Sequence, residues 1–139
     1  MNCRQAFLDT NILLYSISND PTEAAKRERA EALLERDDLR LSTQVLQEFY
    51  VQATRASRST PLAHDIAAGL VRAWMRFEVQ PVTTEIVLAA FVIKERFGFS
   101  YWDCAIIAAA QAQGCDVLFS EDLSHGQVVD GLRIIDPFR

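Results

Sequence analysis

The chain reads as one α/β domain over residues 1–139, with a mainly parallel sheet of about five strands covered by helices on both faces, a three-layer sandwich. Three observations predict this. Short apolar runs alternate with longer stretches of helical periodicity; cap residues or glycines bound most of the helical stretches; and 139 residues suffice for one well-buried core but not for two. Neither an internal repeat nor a linker interrupts the pattern.

Residues 6–15, Ala-Phe-Leu-Asp-Thr-Asn-Ile-Leu-Leu-Tyr, are an apolar run with a carboxylate in its middle and read as a buried parallel strand. A buried strand has no structural use for an unpaired Asp, and the nearest base on this stretch is Arg4, so Asp9 is expected at the strand's carboxyl end, with Thr10 and Asn11 turning the chain out. Residues 16–19 read as loop. Asp20 then caps a helix with Pro21 in its first turn and Glu23 closing a capping box; it runs to about Arg36 with Ala30, Leu33 and Leu34 inward. Residues 39–42 form the second strand, and Ser42 or Thr43 caps a helix from Gln44 to about Ser57, ending in a basic corner that holds Arg55 and Arg58. Thr60-Pro61 opens a third helix with Leu62, Ile66, Leu70, Ala73 and Phe77 on one face. Residues 78–82 are a brief strand. The fourth helix starts at Thr84, buries Ile86, Ala89, Ala90, Ile93 and Phe97, and stops at Gly98. Ser100 to Asp103 opens a fifth helix that ends at Gln113 before Gly114, and residues 116–120 and 132–136 are the last two strands.

Composition narrows the function. No run approaches the length of a membrane span and the start of the chain has no export-leader pattern, so a cytoplasmic protein with no membrane partner is expected. Cys3, Cys104 and Cys115 are odd in number and lack C-x-x-C spacing, which argues against a disulfide framework or a thiolate zinc site and for small buried hydrophobes. A net charge of -5 is unusual for a nucleic-acid binder, but phosphates respond to local patches, and twelve of the fourteen bases are Arg, the better partner for phosphate.

In an open parallel sheet, ligands bind beyond the carboxyl ends of the strands, at a switch in strand order. Four acids are directed there: Asp9 after the first strand, Glu48 early in the helix after the second, Asp103 in the first turn of the fifth helix, and Asp122 two residues past the fourth strand. Taken singly, three have ordinary explanations. A Ser-x-x-Asp capping box accounts equally well for Asp103, a solvated helix flank for Glu48, and a turn former for Asp122. Convergence favours chemistry. At an effective dielectric near 20, two like charges about 4 Å apart cost roughly 4 kcal/mol, and a hard cation relieves that repulsion. Carboxylates suit Mg²⁺ or Mn²⁺, whereas zinc would want His or Cys, and His64 and His125 are not spaced as a ligand pair. An all-carboxylate site of this kind suits phosphodiester hydrolysis by metal-activated water.

Phe7-Leu8-Asp9-Thr10-Asn11, Gln47-Glu48-Phe49, the run 101–110 beginning Tyr-Trp-Asp-Cys-Ala, and Ser120-Glu121-Asp122-Leu123 together resemble the PIN domain family, most closely the VapC-type toxins of bacterial toxin-antitoxin pairs, over nearly the whole chain. The resemblance implies a Mg²⁺-dependent endoribonuclease whose metal-binding, catalytic carboxylates are Asp9, Glu48, Asp103 and Asp122, with Glu121 competing for the fourth place. It implies that Ser120 supplies the hydroxyl two residues before that acid, and that Thr10 and Asn11 orient the first carboxylate. It implies a homodimer and a cognate antitoxin that covers the site. Arg55 and Arg58 are candidates for RNA backbone contact.

Two rivals share parts of the pattern. A phospho-acceptor receiver domain wants a Lys on a late strand, and Lys26 and Lys94 both fall on helices; a haloacid-dehalogenase-type phosphatase wants a second Asp where Asn11 stands. A catalytically silent acidic pocket is the third reading.

Overall fold

The computed structural model describes residues 5–139, so Cys3 and Arg4 lie outside the described residues. In chain order the elements are β1 (Ala6–Leu8), α1 (Thr10–Ser16), a 3₁₀ turn (Pro21–Glu23), α2 (Ala24–Leu34), β2 (Leu39–Ser42), α3 (Thr43–Ala53), α4 (His64–Trp74), β3 (Glu78–Gln80), α5 (Thr84–Phe97), α6 (Tyr101–Ala112), β4 (Val117–Phe119), β5 (Val128–Val129) and β6 (Leu132–Ile135). They build one six-stranded sheet in the order β3-β2-β1-β4-β6-β5, parallel throughout except for β5. The α/β class and mainly parallel sheet agree with the sequence reading, with one strand more than the five expected.

The strand order reverses at β1. From there the chain steps outward through β2 to β3, then returns to place β4 on β1's other side. Right-handed crossovers therefore put α1 to α4 on one face and α5 with α6 on the other. Helix α6 is the most enclosed: Cys104 to Ala110 are all buried, and the four alanines among them let α5 and the sheet approach closely. Cys104 and Cys115 are free and buried.

Several local expectations change. Only three residues of the run 6–15 are strand; Thr10–Ser16 is helix, because Asp9 accepts the Thr10 N–H as N-cap and turns the chain at once. An unbroken apolar run does not by itself separate a buried strand from a buried helix. Asp20 does cap its turn, accepting the Thr22 N–H at 2.9 Å, but Glu23 accepts the Ser18 hydroxyl at 2.6 Å instead of closing the box, and α2 ends at Leu34. Helix α3 stops at Ala53, where the Thr54 hydroxyl bonds the Tyr50 carbonyl at 2.8 Å. Thr60-Pro61 opens no helix: α4 begins at His64, and of the expected face Leu62, Leu70 and Phe77 pack on the core while Ile66 and Ala73 are exposed and their neighbours Ala67 and Trp74 are buried instead. In α5, Ile86, Ala90 and Ile93 are buried as expected but Ala89 is exposed; Gly98 ends the helix at φ 76°, where a side chain would be strained.

The missed strand is β5. It pairs Val129 with Leu132 across Asp130 (φ 47°) and Gly131 (φ 89°), a two-residue hairpin turn with both central residues left-handed. Among the described residues no helix is long and apolar enough to cross a membrane.

Because Ile107 is fully buried in the enclosed stretch Cys104 to Ala110 of α6, Ile107→Ala is expected to lower the unfolding free energy by about 2–5 kcal/mol in urea denaturation. A loss below about 1 kcal/mol would show that α6 repacks freely.

Candidate active site

The strand-order switch places the ends of β1 and β4 side by side, with Leu8 in register with Phe119. The next residues along each strand are Asp9 and Ser120. Asp9 continues the ladder for one bond, its N–H donating to the Phe119 carbonyl at 3.0 Å, and then leaves the sheet as the cap of α1. Its carboxylate is 4% exposed; Oδ1 accepts the Thr10 N–H at 2.7 Å and Oδ2 accepts the Ser120 hydroxyl at 2.7 Å. Burial dominates and pushes the Asp9 pKa up to about 7, opposed by those two hydrogen bonds and reinforced by the charges of Asp122 and Asp103.

The other predicted acids meet Asp9 there. A cavity of about 170 Å³ is lined by Asp9, Glu48, Asp103 and Asp122 together with Thr10, Asn11 and Trp102, and none of its described lining residues is Lys, Arg or His. Asp103 is half-buried in the first turn of α6. Burial raises its pKa, a hydrogen bond from Ser100 opposes the rise, and Asp122 adds to it. The Ser100 hydroxyl also accepts the Asp103 N–H at 3.2 Å, so one arm of the expected capping box forms while the carboxylate still lines the cavity.

Two neighbouring polar residues distribute the remaining acids. The Thr10 hydroxyl donates to Glu48 Oε1 at 2.7 Å, and Asn11 Nδ2 donates to Asp122 Oδ2 at 3.0 Å. Both were expected to orient Asp9; only the Thr10 backbone does so, and their side chains position Glu48 and Asp122 instead. Ser120 accepts the Asp122 N–H at 3.2 Å while donating to Asp9, which joins the first and fourth positions through one hydroxyl.

Glu121 points elsewhere. Its carboxylate accepts from Lys26 Nζ and, at 2.5 Å, from the Tyr15 hydroxyl. Burial works against its charge, but those two partners more than offset it and hold the carboxyl below the ordinary range. Of the two residues competing for the fourth place, Asp122 is the one that lines the acid cavity.

Arg55 and Arg58 lie outside that cavity, each lining a space that adjoins it. Arg58 lines a larger space of about 730 Å³ that shares Asn11, Leu14, Gln52 and Asp122 with the acid cavity, and Arg55 lines one of about 320 Å³ that shares Glu48, Gln52 and Trp102. Sequence reasoning missed Gln44, Gln52 and Trp102. The first two are spaced i−4 and i+4 from Glu48, a polar stripe on α3 that its period could have exposed. Gln44 is buried and donates to both Glu48 Oε2 at 3.3 Å and the Trp102 carbonyl at 3.1 Å.

All four acids present oxygen donors to one space, a set that fits a hard divalent cation. Among the described residues no three His, Cys, Asp or Glu side chains form a ready cage for an ion, so the carboxylates border a shared volume rather than closing on one point.

A family model described as PIN domain matches residues 6–130. No curated protein matches the sequence. Among solved structures, a toxin-antitoxin complex from Klebsiella pneumoniae is similar at 18% identity and a TM-score of 0.71, over 96% of this chain and 98% of that one. VapC20 from Mycobacterium tuberculosis, described as a sarcin-ricin loop cleaving toxin, is similar at 20% identity and a TM-score of 0.67, over 85% of this chain and 92% of that one. DNA-bound VapBC from Salmonella typhimurium is similar at 23% identity and a TM-score of 0.67, over 97% and 99% of the two chains.

The raised pKa of Asp9 carries a stability signature. Between the ordinary Asp value of 3.8 and about 7, the folded protein keeps a proton that the unfolded chain has released, so the contribution is fully present below 3.8 and is lost as pH rises through about 7. With divalent ions chelated, Asp9→Asn is expected to melt higher than the parent at about pH 8, with a smaller gap at about pH 5. Equal gaps at the two pH values would remove burial as the cause.

Proposed function

The chain belongs to the PIN domain family, and on that premise we propose that it is a Mg²⁺-dependent endoribonuclease that acts as the toxin of a toxin-antitoxin pair. The observation that carries the reading is the meeting of Asp9, Glu48, Asp103 and Asp122 on one cavity with no basic residue among its described lining residues. These four side chains would hold the cation, with Mn²⁺ as a possible substitute for Mg²⁺. When bound, such an ion lowers the pKa of water and neutralises phosphate charge.

The chain's own contribution is preorganisation. Ser120 fixes Asp9, Thr10 fixes Glu48 and Asn11 fixes Asp122, so three of the four acids are aimed before substrate arrives. Arg58 and Arg55, in the two spaces that adjoin the acid cavity, would take phosphates of a single RNA strand laid across the site, a role supported by the residues those spaces share with it. Water adds to phosphorus in line, the bond to O3′ breaks, and the products carry a 5′-phosphate and a 3′-hydroxyl.

The toxin role is supported by the similar structures, which are described as a toxin-antitoxin complex, a toxin and VapBC. By analogy the chain pairs with a cognate antitoxin that blocks the acid cavity, and it assembles as a homodimer.

With single-stranded RNA, cleavage is expected in Mg²⁺ and none in a chelator. Asp9→Asn is expected to cut at least about a hundredfold more slowly, the equivalent of several kcal/mol of lost charge stabilisation, with an unchanged far-ultraviolet spectrum. Full activity in that variant would sink the mechanism. Asp122→Asn is expected to lose far more activity than Glu121→Gln; the reverse ranking would reassign the fourth acid.

A further inference from the structure

We propose that Trp102 and the adjoining side of α3 form a nucleobase subsite beside the acid cavity, where one unpaired base of the strand stacks on the indole. The proposal rests on the ribonuclease reading and adds where the strand is gripped. The chain has two tryptophans in opposite settings. Trp74 is 4% exposed and packs edge-on against Phe49 with ring centroids 4.6 Å apart, whereas Trp102 is 63% exposed at the rim of the site. An indole is a large apolar surface to leave in water, and its position one residue before Asp103 puts it within reach of whatever occupies the cavity.

The platform is braced. Tyr101 meets the Trp102 ring edge-on at 5.2 Å between centroids, and Phe91 meets Tyr101 at 5.7 Å. Gln44 ties the Trp102 carbonyl to Glu48, so the indole-bearing backbone and one acid are linked through a single buried amide.

The space beside the indole, about 320 Å³, has three further properties. Val51, 56% exposed, adds apolar surface. Gln47 and Gln52 present amides, each both donor and acceptor, as reading a base edge requires. Arg55 supplies the cation, and among the described residues its side chain has no ion-pair partner. An aromatic face, amides and one free guanidinium recognise a base and its phosphate, and the acids next door repel that phosphate unless a cation is bound. The arrangement favours single strands, because a base in a duplex does not offer its face.

The test uses the full chain with Ca²⁺ in place of Mg²⁺, so that a cation offsets the acids while its larger and looser coordination holds cleavage back. Trp74 is buried, so a change in tryptophan emission on titration reports Trp102. Single-stranded oligouridine and oligoadenine are expected to quench it, and polyphosphate and duplex RNA are not. Trp102→Ala is expected to bind these single strands about tenfold more weakly, the loss of one base stack, and Trp102→Phe to recover most of that loss. Unchanged affinity in Trp102→Ala, or equal quenching by polyphosphate, would overturn the subsite. So would dissociation of a dimer in Trp102→Ala at unchanged RNA affinity, which would make this face a contact between copies. A parallel cleavage assay in Mg²⁺ separates the two readings. Cleavage by the parent with normal binding by Trp102→Ala removes the subsite alone; Trp102-dependent binding with no cleavage removes the nuclease reading alone.

Discussion

The structure turns on a carboxylate that the protein buries without a basic partner. Asp9 is almost wholly removed from water, receives only two hydrogen bonds, and shares its cavity with three further acids. At an effective dielectric near 20, each like-charged pair about 4 Å apart costs roughly 4 kcal/mol, several times what a neutral hydrogen bond returns. Burial is the larger cost and the neighbouring charges add to it, so the local answer is a proton and the Asp9 pKa rises to about 7. On the proposed ribonuclease reading, the functional answer would be a cation.

The fold keeps this arrangement in place by topology rather than by local propensity. The switch in strand order at β1 sets the ends of β1 and β4 next to each other, and the residue that follows each strand is polar, Asp9 in one and Ser120 in the other. Helix α1 begins immediately, so Thr10 and Asn11 are carried to opposite neighbours, Glu48 on α3 and Asp122 beyond β4. The full burial of α6 from Cys104 to Ala110 anchors the turn that bears Asp103 and Trp102. Four elements far apart in sequence thus share one edge, and moving any of them by a turn would take an acid out of the cavity.

What the sequence could and could not reveal follows the same division. The alternating pattern of apolar runs and capped helices was legible because strands and helices differ in period, and the four acids were legible because carboxylates sit poorly in or beside apolar stripes. The helical state of residues 10–16 was not, since an apolar run buried on most sides has no period to read. Nor were two positions of α4, where Ala67 and Trp74 are buried in place of Ile66 and Ala73 and Trp74 packs against Phe49. The Asp130-Gly131 hairpin was available in the sequence as a turn signal and was passed over because β5 has only two residues. Gln44 escaped because a glutamine on a helix is ordinarily solvent-facing; only the partners at 3.1 and 3.3 Å distinguish it.

The two acids at the end of β4 show how adjacent residues of similar chemistry separate into different roles. Glu121 is compensated inside the protein by Lys26 and Tyr15, and Lys26 also sits over the rings of Tyr15 and Phe138, so this pair is satisfied without any ligand. Asp122 receives only the Asn11 amide and stays open to the cavity. A group whose charge is already balanced has little to gain from an incoming cation, whereas one left unbalanced gains the full interaction. The Glu121 anchor holds the loop by pairing with Lys26, while the four acids of the cavity have no basic residue among its described lining residues. If the site takes a cation as proposed, binding the ion and stabilising the fold would be the same event, because the ion would relieve a repulsion that the folded state alone holds.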